Sequence, residues 1–506
     1  MQSVYISGIS MTHFGKDPRP LAEIFSQAAE EALAASKEQA IDAVYIGVMN
    51  PEEFTGDSNI ASQIADALGL VGIPAIRIET ASSAGAAAIQ AGFQAIASGY
   101  YRRVLILGGE KMTHLSTSAT TRILAEVIDR QERQCGATMP ALAAMITEKY
   151  RQKYRLSQSR LENMLCAVAL KNHRNGARNP LAQFQKAITR EVYFESKFVA
   201  TPLRLYDCSP ITDGAAALVL TSEKTDVRLA AIGQGTGPLS LRERETFTSF
   251  PATRFAAARA YQMANTTPQD IDFAEVHDAF TPFEIITTED LGFFAAGKGG
   301  DAVLDGKTAA DGPLPINPSG GLKARGHPVG GSGLAQVVEV TKRLRGENGS
   351  RRAYRRGLTQ STGGLGTNNF VTILERSDAP VAQVAAATNF PAPAPMAMTK
   401  KSTNPARLSE EGEIETFTIV YVTPDGFLPP LALGLIRQRN GRLILAQGED
   451  SEHLKIGREV YLRRIDDTCL FTVKSQLQKV QESLKKLLRR KSPANIQEQV
   501  PTEEKT

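Results

Sequence analysis

Helix-then-strand patterns alternate through the first three quarters of the chain, and one such unit occurs twice. Residues 28–51, AAEEALAASKEQAIDAVYIGVMNP, and residues 256–280, AAARAYQMANTTPQDIDFAEVHDAF, share one order of features. Each places an amphipathic helix, a polar break, an Ile-Asp pair and a mostly apolar strand in succession. A second pair of segments matches in the same way: SSAGAAAIQAGFQAIASG runs into VLILGG, and GGSGLAQVVEVTKRL runs toward GLTQSTGG. Both predict a buried helix feeding a buried strand. Two similar α/β halves, 1–225 and 226–376, are expected to set paired helices back to back in a layered fold. Such units recur in unrelated chains, so the repeat by itself leaves chance similarity open.

The pattern changes after Arg376. Residues 377–410 are rich in Ala, Pro and small polar residues and predict a flexible linker, extended where the prolines cluster. From Ile414 short strand-like runs follow one another: IETFTIVYV, LALGLIRQ, RLILAQ, EVYLRRI and CLFTV. A Pro-Asp-Gly turn at 424–426 and an Asn-Gly turn at 440 and 441 punctuate them, the latter a strong hairpin signal. Residues 411–475 are therefore expected to close a small barrel. In the tail, 476–506, Leu477, Val480, Leu484 and Leu487 share one helical face beside Lys485, Lys486, Arg489, Arg490 and Lys491. A docking helix with a solvated basic face is the reading preferred to a membrane-surface helix, followed by a disordered end.

A chain of 506 residues exceeds one ordinary core and predicts several units. Lys plus Arg number 58 against 54 Asp plus Glu, a balance that gives no case for a nucleic-acid partner. The four cysteines, Cys135, Cys166, Cys208 and Cys469, are scattered without a CxxC pair, which argues against a zinc ribbon and a disulfide framework. A reducing cytoplasm is the expected compartment. Met1 to Ser10 reads as a strand rather than a signal segment, and no apolar run of about 18 residues occurs, so neither secretion nor a membrane span is expected.

The densest chemical signal is NPSGGLKARGHPVGGSG, residues 317–333. His327 stands there between Gly326 and Pro328 on a constrained turn, while the surrounding glycines allow close approach of backbone and ligand. A second histidine, His277, ends a predicted strand in EVHDAF. A lone histidine is more often structural than catalytic; two in adjoining motifs change that weighting.

These residues carry a resemblance. GGLKARGHP is similar to the Gly-His-Pro signature of thiolases. EVHDAF and PLRLYDCSPITDGAAALVL (202–220) resemble the sterol-carrier-protein-type and archaeal acetyl-CoA acetyltransferase branch, and GGEKM at 108–112 is also similar. The likeness runs from Val4 to about Glu375, and it implies an α/β, duplicated five-layer thiolase-like fold. The C-terminal barrel resembles the OB-fold half of the acyl-CoA-associated (DUF35-like) proteins that partner such enzymes. The cysteine-free linker before it implies no zinc.

The resemblance implies the site residues as well. The nucleophile belongs at the N-terminus of the small-residue helix, where RIETASSAGAAA puts Ser82 in place of the family's cysteine. That helix end would stabilise a developing anion. His327 would be general base and oxyanion donor, His277 its partner on the thioester oxygen, and the N–H groups of Ser82 and Gly363 a second oxyanion hole. Gly320, Gly321 and Ser332 are expected to contact coenzyme A, which enters as part of an acyl-CoA substrate; no tightly bound cofactor and no metal are implied. The acyl pocket would come from the loop region 112–200, and a homodimer or tetramer is expected.

The departures matter. Cysteine, with a reference pKa of about 8.5, reaches its thiolate easily, whereas a serine hydroxyl needs a stronger base and forms an oxyester. The second reactive cysteine is also missing, with Ala279 in HDAF and Ser361 in QSTGG at the corresponding places; Cys208, in the DCSP motif, reads as structural. Three functions stay open: a non-covalent retro-aldolase or Claisen-type lyase on a CoA thioester, an acyltransferase or thiolytic enzyme working through acyl-Ser82, and a silent acyl-CoA-binding scaffold. Retention of both histidines speaks against the last. In the barrel, Phe417, Tyr421, Phe427 and Tyr461 have few basic neighbours, so an acyl-CoA or docking role is expected rather than oligonucleotide binding.

Overall fold

A computed structural model describes residues 2–36, 40–347, 349, 352–378, 408–449, 451 and 453–474. The predicted linker falls almost wholly outside the described residues, and the basic tail lies outside them. Among the described residues no helix is long and apolar enough to cross a membrane.

The first half contributes β1 (Val4–Met11), α1 (Leu21–Ala35), β2 (Ala43–Gly47), β3 (Ala75–Ile78), α2 (Ala84–Ala97) and β4 (Arg103–Glu110). A long excursion follows, with α3 (Met139–Lys153), α4 (Gln158–Gly176), β5 (Phe198–Ala200) and β6 (Leu203–Arg204), before β7 (Gly214–Thr221) returns to the sheet. The second half supplies β8 (Val227–Thr236), α5 (Pro251–Ala264), β9 (Phe273–Glu275), α6 (Ser332–Arg345), β10 (Arg356–Gly363) and β11 (Asn368–Arg376).

The strands run in the order β3-β2-β4-β7-β1-β8-β11-β10-β9, and the halves join where Val4–Ile6 of β1 pair with Val227–Leu229 of β8. Read outward from that seam, β1, β7, β4 and β2 have their counterparts in β8, β11, β10 and β9. The β2–β4 and β9–β10 pairs are both parallel. The Ile-Asp pairs noticed in the sequence make one and the same joint. Asp42 accepts the backbone N–H groups of Arg102 and Arg103 at 2.7 and 2.9 Å, and Asp272 those of Arg355 and Arg356 at 2.7 and 3.0 Å. The duplication is thus a feature of the fold and not a chance likeness.

Helices α2 and α6 pack in one buried cluster with strands of both halves, while α1 and α5 cover the outer faces in clusters of their own. Helix, strands, paired helices, strands, helix make five layers. The small residues of α2 now have a cause. A Cβ on Gly85 would lie 2.5 Å from the carbonyl oxygen of Gly330, and one on Gly333 2.8 Å from the backbone nitrogen of Ala86. No larger side chain lets these two helix heads approach so closely.

The C-terminal region closes a five-stranded barrel from β12 (Glu411–Val420), β13 (Leu431–Gln438), β14 (Leu443–Gly448), β15 (Glu459–Ile465) and β16 (Thr468–Val473). Around it the order is β12-β13-β14-β16-β15 and back to β12, with β14 and β16 parallel. Gly441, at φ +82°, supplies the left-handed residue of the Asn-Gly hairpin between β13 and β14. The barrel sits on its own chain's excursion. Ala200 of β5 pairs with Val420 of β12, Lys149 meets Glu415 at 2.5 Å, and Leu431, Leu433, Leu435 and Leu445 join the core built by α3 and α4.

Candidate active site

Four loop ends converge where the two halves meet. The first is the head of α2. Ser83, its N-cap, turns its hydroxyl back to the carbonyl of Thr80 at 2.7 Å, and Ala81 holds φ +56°, a left-handed conformation unfavourable for a residue with a Cβ. Ser82 follows at once and is half-buried; among the described residues its hydroxyl has no hydrogen-bond partner. The second is the end of β10, where a Cβ on Gly363 would fall 2.2 Å from the carbonyl oxygen of Thr80 and 2.5 Å from Ser83 Oγ. Glycine is required for this strand to lie against the turn carrying Ser82.

The third end follows β9. Asn317 Oδ1 accepts the N–H of Val276 at 2.8 Å, and Gln360 Oε1 accepts that of His277 at 3.1 Å, which fixes the backbone of the histidine from two sides. The fourth is the Gly-His-Pro turn. Gly326 takes φ +118°, His327 donates its N–H to Thr212 Oγ1 at 2.9 Å, and its Nδ1 shares a 2.7 Å hydrogen bond with Ser332 Oγ. The two imidazoles meet edge to face with ring centres 5.0 Å apart. His277 Nδ1 is buried and unpartnered.

Burial sets the protonation of this pair. It pushes His327 down to about 3, with the Arg325 guanidinium adding to the effect. It pushes His277 well below the usual histidine range, helped by the neighbouring His327 and Arg325. Both rings are therefore neutral near pH 7, able to donate an N–H or accept a proton but carrying no charge. Three of the thiols are poor stand-ins for the missing nucleophile. Burial pushes Cys135 and Cys208 up to about 12 and Cys166 up to about 11, the opposite of what a nucleophilic thiolate needs.

Of the residues expected to touch coenzyme A, Ser332 hydrogen-bonds His327. The space beside Gly320 is taken by Gly176, and that beside Gly321 by the Asp278 carboxylate, 2.4 Å from where a Cβ would stand. At these two glycines the protein approaches itself.

Three buried ionisable groups lie inside the motifs without having been singled out there as site residues. Glu110, inside GGEKM, accepts N–H groups from Met49 at 3.0 Å and Gly330 at 3.3 Å, tying the first half to the histidine turn; burial raises it to about 7. Asp278 accepts from Leu322 N and Asn172 Nδ2, each at 2.6 Å, and burial together with the adjacent Glu284 raises it to about 7. Arg325, fully buried, reaches Ser319 Oγ at 3.2 Å and Glu275 at 3.7 Å. Their motifs flagged Glu110 and Asp278; nothing in a mid-helix Asn172 announced its part.

Comparison with known proteins agrees with this geometry. Residues 4–224 match the family described as Thiolase, N-terminal domain, and residues 233–376 match Thiolase C-terminal domain-like. The chain is 41% identical over 393 residues to an acetyl-CoA acetyltransferase of Methanothermobacter thermautotrophicus, covering 74% of this chain and 100% of that one. It is 31% identical over 378 residues to human sterol carrier protein 2, covering 69% of this chain and 68% of the relative. Among solved structures, a monomeric SCP2-thiolase like protein from Mycobacterium smegmatis superposes with TM-score 0.71 at 18% identity, covering 93% of this chain and 99% of that chain. Its fold thus spans the barrel as well as the two halves.

Proposed function

From the premise that this chain belongs to the thiolase family, we propose that it makes or breaks a carbon–carbon bond beside a coenzyme A thioester without a cysteinyl intermediate. One observation carries the reading: two buried, neutral imidazoles meet at the junction of the halves, each with a ring nitrogen that no described residue engages. A thioester oxygen seated between them would receive N–H donation as charge develops on it, in a buried site where such donation is worth more than in bulk water. That donation stabilises the enolate from which a carbon–carbon bond forms or into which it collapses. A neutral ring can also move the single proton that such a step needs.

Acyl-Ser82 chemistry is the second reading, favoured by the position of Ser82 at the head of α2 beside Gly363. Against it, no described residue accepts a hydrogen bond from its hydroxyl, so nothing in place removes the proton. The experiment that separates the enzyme from a silent scaffold is turnover of short β-keto- and β-hydroxyacyl-CoAs by wild type, His277→Ala and His327→Ala. Activity that either substitution abolishes supports the reading; a wild type that binds acyl-CoA without converting it defeats it.

The barrel's strand order, with its third and fifth strands parallel, supports an OB-type reading for this domain. We also propose a homodimer or tetramer built on the edge strand β3, where Ile76 and the nearby Val71 are 50% and 79% exposed.

A further inference from the structure

Behind the loop that carries His327 lies a cavity of about 990 Å³. Lys171 and Arg174 from α4, Arg178 just beyond it, Lys342 and Arg343 from α6, and Arg352 all line it. Three carboxylates face them, of which Glu339 is occupied by Asn179 at 2.7 Å and Glu347 lies 3.9 Å from Arg345 outside the cavity. Lys171 is spoken for by Glu284 at 3.1 Å. With Asp311 the third carboxylate, cations outnumber acids six to three, and a concave wall with that excess gives the space inside a positive field.

Helix dipoles explain part of this. Arg174, Lys342 and Arg343 stand in last turns, where a cation offsets the carbonyl end. Lys171, Arg178 and Arg352 do not, yet they line the same space. Two of the guanidiniums are also held in place: Arg343 lies 5.6 Å and Arg352 5.4 Å from the ring centre of Tyr354. Arg352 also donates to the carbonyl of Pro313 at 3.4 Å, and a guanidinium so fixed loses little further entropy on meeting a phosphate.

We infer that this cavity binds the phosphate chain of a nucleotide-sized ligand. The volume is that of a small-molecule site. One of its buried lining residues, Ser319, donates N–H and O–H at 2.9 and 2.7 Å to Glu275, the last residue of β9 and two positions before His277. The ligand chemistry has two sources, a free nucleoside diphosphate or the diphosphate end of coenzyme A. The inference does not depend on the reaction proposed above.

The test is calorimetric titration of the full-length protein with tripolyphosphate, ADP and CoA at fixed low salt. Arg174→Ala/Arg178→Ala removes two exposed cations from one wall, and Lys342→Ala/Arg352→Ala removes two from the other. Saturable binding of tripolyphosphate and ADP is expected, weakened about tenfold or more in both double variants, as the loss of charge-assisted hydrogen bonds requires. CoA binding that weakens in parallel identifies CoA as the source; CoA binding that does not identifies a free nucleotide. No saturable binding of ADP or tripolyphosphate to wild type, or affinities unchanged in both folded double variants, would overturn the inference.

Discussion

His277 and His327 stand edge to face, ring centres 5.0 Å apart at 90°, although the chain separates them by fifty positions and different motifs carry them. One ring follows strand β9, the other belongs to the turn before α6, and Gly330 of that turn lies against Gly85 in the head of α2. If donation to a thioester oxygen is their task, His327→Ala should lower kcat by about 10²- to 10³-fold, the usual cost of one oxyanion donor. KM should change little. His277→Asn, which restores an N–H near the same place, should recover part of what His277→Ala loses. Steady-state kinetics on a substrate that wild type converts checks both.

Glu110 ties Met49 to Gly330 and is held near 7 by burial, above the ordinary glutamate value of 4.5. With the folded pKa above the unfolded one, the native state binds more protons between about pH 4.5 and 7, so stability falls as pH rises through that window. The contribution of this one group between pH 5 and 8 is about 2 kcal/mol. Glu110→Gln keeps an oxygen for the two N–H groups and cannot ionise. Its urea midpoint should therefore fall less than that of wild type between those pH values; equal slopes would contradict the assignment.

Gly85→Ala should separate the paired helices. The added methyl meets the backbone oxygen of Gly330, which cannot swing away as a side chain would, and such overpacking typically costs about 1–3 kcal/mol. Because that oxygen belongs to the histidine turn, activity should fall along with the urea midpoint.

Light scattering checks the proposed assembly. A mass of two or four chains that drops to one in Ile76→Lys is expected; a monomeric wild type contradicts it.

The sequence carried the architecture further than the site. The duplication was legible because each half repeats a helix, an Ile-Asp pair and a strand, and the atoms bear this out at Asp42 and Asp272. The partner of that joint was in view but unnoticed: Tyr-Arg-Arg precedes both β4 and β10, at 101–103 and 354–356. The barrel was legible from its turns, whereas its seat was not. Nothing local in IETFTIVYV indicates that Val420 pairs with Ala200 more than two hundred residues earlier, since a strand edge accepts any backbone. The same holds at the site. Motifs placed the histidines and Ser82, but the groups that support them, such as Asn172 on Asp278 and Gln360 on His277, are chosen by three-dimensional proximity and leave no local pattern.

Ser82 decides between the two chemistries most directly. Wild type and Ser82→Ala should be compared in turnover of a short acyl-CoA and in intact mass after brief incubation with it. The non-covalent account predicts no acyl adduct on either protein and a Ser82→Ala kcat within a few-fold of wild type. An adduct that requires Ser82, together with loss of turnover in Ser82→Ala, would contradict it.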